Sequence, residues 1–255
     1  MTIGTLIEPA VDTFDLAYGS VTFEEKDGAL QVTYSTETEK DLTYGLSDAS
    51  KVYEVIQSRP DTPTGGTQLR IINTTSPLRI RLTNVRMDNQ TEARSPIDVM
   101  GSAVLELAGE NILVSNSGVA ALYVQSGKNL TLTGSGSLDA RVNLPDGAKE
   151  DDMAEAAIGG SEKSDSGMIV IESGRITATG SRGGAGIGGG YKGSGYVTIN
   201  GGIVAARGGA CSAGIGGGYE SGNVTINGGI VTAWGGGGDF PAGAGIGGGG
   251  GLAIW

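Results

Sequence analysis

The chain has 255 residues, 48 of them glycine, with no histidine, one cysteine and a net charge of −11. Glycine at nearly one residue in five, without a three-residue period, excludes collagen, and plentiful, regularly placed Val, Ile and Leu exclude a disordered acidic chain. The missing histidine removes Ser-His and Cys-His catalytic pairs and His-bearing metal sites, and the negative charge speaks against non-specific binding to DNA.

In chain order, the first residues MTIGTLIEPAVDTFD lack the basic and apolar regions of a signal peptide. No stretch is apolar enough to span a bilayer, so no membrane insertion is expected. Residues 1–67 read as an N-terminal β region. TFDLAYGSVTFEEKDGALQVTYSTETE holds two or three strands with a turn at Asp27-Gly28, and Ser58–Gly66 reads as a loop. This region is expected to cap the remainder of the chain.

Residues 68–255 repeat. Leu82, Leu107, Leu132, Ile171, Ile199, Ile226 and Ile254 form one apolar column, each preceded by an apolar residue two positions earlier. Ile97, Leu122, Ile158, Ile187, Ile215 and Ile246 form a second. Between them lie Ile176 and Ala178, Val204 and Ala206, Val231 and Ala233. Each unit therefore has three short segments of period-2 alternation, divided by Gly, Asn and Ser. Such segments are strands, and one coil of strands buries its inner face only by stacking on the next. The predicted fold is all-β, a right-handed parallel β-helix of about six to seven coils with an N-terminal β cap.

Charge and glycine divide unevenly along the coils. Residues 1–155 carry 23 acidic and 12 basic side chains, whereas residues 156–255 carry five of each. Glycine clusters in AGIGGG segments starting at Ala185, Ala213 and Ala244, which suit tight corners and leave a face without side chains. Asn200 and Asn227 align with Glu172 as a hydrogen-bonded ladder. Arg81 is expected to stack against Glu106 and then Thr131.

Two groups of residues stand out as sites. Between Leu132 and Ile171 the spacing stretches to 39 residues, and the extra length around Asp139–Glu155 is rich in carboxylates. Asp139, Asp146, Asp151 and Asp152 are candidate ligands for Ca²⁺, which takes oxygen donors of this kind. Tyr191 and Tyr219 follow the glycine segments at matching positions, and Thr179, Arg207 and Trp234 align on an outward column. Tyr191, Tyr219, Arg207 and Trp234 together are the candidate ligand site, with aromatic rings to stack on sugars and Arg207 to bond hydroxyls.

The segments LRIRLTNVRMDN, SPIDVMGSAVLELAGENILVSN, ALYVQSGKNLTLTGSGSLDA and the iterated AGIGGG–VTINGGIVTA units resemble a known family. They are similar to the carbohydrate-binding-type β-helix domains of bacterial cell-surface proteins, common in Firmicutes and pectate-lyase-like in fold. The resemblance covers residues 68–254. It implies an extracellular or cell-surface domain of a longer protein that binds rather than cleaves, with calcium and acidic polysaccharide as ligands of some relatives.

A non-catalytic module recognising polysaccharide or a cell-surface glycan is the expected function, with Ca²⁺ as a candidate cofactor. One alternative is a structural spacer joined by end-to-end contact at the C-terminal coil, where Leu252 and Ile254 begin a further unit. Another is a Ca²⁺-dependent polysaccharide lyase built on Asp139, Arg141, Lys149 and Asp151, with an arginine or lysine as base.

Overall fold

A computed structural model describes residues 12–46, 48, 50–59, 64–116, 118–143, 155–237 and 241–250. Their regular structure is entirely β, arranged as three sheets of eight, six and ten strands. Each coil gives one strand to the first sheet, then one to the second and one to the third. The result is a right-handed parallel β-helix of about seven turns.

The first sheet takes Leu78–Thr83, Ala103–Ala108, Asn129–Gly134, Met168–Ile171, Gly195–Ile199 and Gly222–Ile226. The second takes Arg86–Asn89, Glu110–Ser115, Ser137–Val142, Arg175–Thr179, Ile203–Ala210 and Ile230–Gly236. The third takes Leu69–Ile72, Ile97–Met100 and Leu122–Val124, and then shrinks to the two-residue strands Ile158–Gly159, Ile187–Gly188, Ile215–Gly216 and Ile246–Gly247. Alternation drives this arrangement, because inward Ile80, Leu105, Leu132, Ile171 and Ile199 are fully buried while their neighbours face out.

The column Ile97, Leu122, Ile158, Ile187, Ile215 and Ile246 pairs in register as predicted. The first column needs one correction. Leu132 pairs with Leu105, and Leu107 lies opposite Gly134. The slip is two residues, which leaves the same side chains facing inward, so the apolar pattern alone does not detect it. For the same reason Glu106, which pairs with Arg81, has Thr133 rather than Thr131 on its other side. Ile254 and Leu252 lie outside the described residues.

The N-terminal region joins the sheets of the solenoid. Val21–Lys26 and Ala29–Tyr34 form an antiparallel hairpin whose turn residues, Asp27 and Gly28, have φ of 54° and 76°. The same Val21–Lys26 strand also pairs in parallel with Leu69–Ile72, and Val52–Ile56 pairs in parallel with Leu78–Thr83. Phe14 fills this end, edge-on to Phe23 at 5.4 Å and to Tyr34 at 4.9 Å between ring centroids. In the last described coil, Ile226 and Ile246 are 42 % and 46 % exposed, although Ile199 and Ile215, one coil earlier, are at 0 %.

The AGIGGG segments make the expected tight corners but not the expected open face. Residues 185–190 and 213–218 are wholly buried, so they present no open face. Gly159, Gly188, Gly216 and Gly247 share one column with φ between 124° and 136°, and a Cβ on Gly188 would fall on the carbonyl oxygen of Gly216. Backbone therefore rests directly on backbone from coil to coil. The chain after each segment also folds back, so that a Cβ on Gly189 would meet the carbonyl oxygen of Gly193. Glycine here sets a narrow coil.

Candidate ligand-binding face

The outer surface of the second sheet carries a candidate site. Its strands point Leu138 and Ala140, Ile176 and Ala178, Val204 and Ala206, and Val231 and Ala233 inward. The residues between them must face out. They form two columns, Asp139–Thr177–Ala205–Thr232 and Arg141–Thr179–Arg207–Trp234. A shift in register between Arg207 and Ala210 puts one extra residue into the strand beside Trp234. Such a bulge bends a strand and re-aims its neighbours.

A groove of about 360 Å³ lies on this face, lined by Thr177, Ala178, Thr179, Ala205, Arg207, Trp234 and Gly235. Trp234 is 54 % exposed, and Ile230 on the same strand is 65 % exposed. Among the described residues, no carboxylate pairs with Arg207. The groove thus offers a flat indole, an unpaired guanidinium and two threonine hydroxyls. That set suits stacking and hydrogen bonding.

Arg207 and Trp234 stand side by side in register. Tyr191 and Tyr219 do not join them. The tyrosines sit where the third sheet turns into the first, with ring centroids 5.2 Å apart and ring planes at 70°. The Lys192 ammonium lies 5.2 Å from the Tyr191 ring centroid. Neither tyrosine lines the groove. The four residues expected as one site therefore divide between two parts of the surface, because the tyrosines belong to a corner and the other pair to a sheet face.

The acidic segment is also divided. Asp139 lies in a strand of the second sheet and holds Arg141 at 2.6 Å, so its carboxylate already has a cation. Asp146, Asp151 and Asp152 lie outside the described residues, as do Lys149 and Glu150. Glu155 is buried, and its backbone N–H donates to the Ser181 hydroxyl at 2.9 Å. Among the described residues no three acidic or cysteine side chains converge as metal ligands.

Elsewhere some outward polar groups satisfy one another. Arg81 donates to Glu106 at 3.0 Å. Asn200 donates to Glu172 at 2.9 Å, and Asn227 donates to Asn200 at 2.8 Å, which completes the predicted ladder. Arg141 is the member of the outward column that sequence reasoning does not place there. Its signal is present, since Leu138-x-Ala140 continues the frame of Ile176-x-Ala178 and Val204-x-Ala206 one coil earlier.

A family model described as a beta helix repeat matches residues 169–191, 197–219 and 224–250. Those three stretches are the coils whose strands carry Thr179, Arg207 and Trp234 in turn, with the glycine corners between them. No curated protein and no solved structure matches the chain.

Proposed function

We propose that this β-helix is a binding module that recognises a polysaccharide or cell-surface glycan on the outer face of its second sheet, without cleaving it. The observation that carries this reading is the groove in which exposed Trp234 stands beside Arg207, which has no ion-pair partner among the described residues. An indole gives a sugar ring a flat apolar surface with little conformational entropy to lose, and the guanidinium and threonines bond its hydroxyls or a carboxylate. Among the described residues no carboxylate lines the groove, and Asp139 on the same face is engaged by Arg141. Hydrolysis of a glycosidic bond by the usual pair of carboxylic groups needs such a group within reach of the sugar. The resemblance to domains of bacterial surface proteins supports the same reading and an extracellular setting.

Affinity electrophoresis through gels containing neutral and acidic polysaccharides, run with Ca²⁺ and with EDTA, tests the proposal. The protein is expected to be retarded without loss of polymer, and Trp234→Ala is expected to migrate freely. Retardation that vanishes in EDTA would assign a role to Ca²⁺. Polymer cleared behind the band would overturn the non-catalytic reading.

A further inference from the structure

Three features of the second sheet refine the proposed glycan-binding reading, and the inference drawn from them rests on that reading. First, the groove draws its lining side chains from three successive coils, at Thr177 and Thr179, then Ala205 and Arg207, then Trp234. It takes them from only two columns, so it runs along the stack rather than along a strand. Second, Arg141 is the fourth member of the Thr179–Arg207–Trp234 column. Its guanidinium is held by Asp139 at 2.6 Å, and its side chain is 43 % exposed. Third, the next position in that column is Val114, which is apolar and buried. The polar ribbon stops there.

We infer that the face takes a linear polysaccharide laid along the stack axis, one sugar unit to a coil over four coils, with Arg141 as the distal subsite. Coils succeed one another at about 4.8 Å, which is comparable to the length of one pyranose unit in an extended chain. Four coils then span about 14 Å from Trp234 to Arg141. The two ends recognise different chemistry. Trp234 offers a stacking surface, and Arg207 carries a positive charge that no carboxylate among the described residues pairs. At the distal end the charges of Asp139 and Arg141 cancel, so the pair presents one acceptor and one donor to a sugar's hydroxyls. Arg141 is thus a determinant of ligand length.

The experiment is a calorimetric titration of the full chain with cello-oligosaccharides and with oligogalacturonates, each from two to six units. Affinity is expected to rise with length up to four units and then level off. Arg141→Ala is expected to weaken the four-unit ligand about fivefold and to leave the two-unit ligand unchanged, whereas Trp234→Ala weakens every length tenfold or more. Arg141→Gln, which retains a hydrogen-bonding group beside Asp139, should fall between wild type and Arg141→Ala. Both variants should melt with the wild type, because the side chain faces outward. A plateau at two units, or an Arg141→Ala protein that binds four units as wild type does, would overturn the distal subsite while the Trp234 loss still upheld the binding groove. Wild-type affinity in Trp234→Ala, or no binding by the wild type at any length, would overturn both.

Discussion

Gly188 shows how much of this fold is decided by single residues. Its φ of +134° is a conformation that side chains rarely adopt, and the carbonyl oxygen of Gly216 occupies the place a Cβ would need. The neighbouring atom is backbone in a fully paired strand, so it has no rotamer by which to move aside. Gly188→Ala is therefore expected to cost about 3 kcal/mol or more, read as a fall in the urea unfolding midpoint. An unchanged midpoint would show that the corner adapts and that glycine there is a convenience. Gly118 and Gly127 also have positive φ but open space around the Cβ position, so alanine there meets only the backbone preference. The sequence shows 48 glycines alike, and only the coil-to-coil distance separates these cases.

Scale matters equally for the strands. Ile199 and Ile226 occupy the same inward position in successive coils of the first sheet and pair directly. Ile199 is covered on both sides, and Ile226 is 42 % exposed. Ile199→Ala should cost about 2–5 kcal/mol, the range for emptying a closed core site. Ile226→Ala should cost less than half as much in the same chain, because part of its surface is already in water. Equal losses, measured by chemical unfolding, would mean that the last described coil is covered in solution. Asn227, on the outer side of this coil, continues the ladder from Asn200, so the coil keeps its side-chain hydrogen bonding even where its apolar interior is open.

These elements also show what the sequence carries and what it withholds. The column from Ile97 to Ile246 is legible because an apolar residue recurs at one point of every coil, with glycine after it in the later ones. The pairing of Leu132 with Leu105 rather than Leu107 is not, since a slip of two residues preserves the inward set. The parallel pairing of Val52–Ile56 with Leu78–Thr83 leaves no repeat to find, because those strands share geometry but not sequence. At the site, the alignment of Thr179, Arg207 and Trp234 follows from counting within repeats. The separation of Tyr191 and Tyr219 from that column depends on which corner of the coil each segment occupies, and residue spacing does not encode it. Arg141 is masked by the acidic residues after it, although Leu138 and Ala140 already keep the frame.

At the scale of the whole molecule, a chain of net charge −11 concentrates its acidic residues in its first 155 positions, and the later coils are balanced. The second sheet turns this asymmetry into a surface. Arg175 and Arg207 lie on its outer face without ion-pair partners among the described residues, next to exposed Ile203, Ile230 and Trp234. This exposed patch is the surface on which the proposed glycan binding is placed. Stacked coils make the patch a ribbon with a fixed repeat, which is why a polymer with its own short repeat is the ligand proposed for it.

The central claim is that this ribbon, and Trp234 within it, is where glycan binds. Tryptophan fluorescence tests it most directly, because the chain has only two tryptophans and Trp255→Phe leaves Trp234 as the sole reporter. The account predicts a saturable change in Trp234 emission as a retarding polysaccharide is added, with no release of new reducing ends. Retardation in the gel with unaltered Trp234 emission would place the ligand elsewhere and contradict the account.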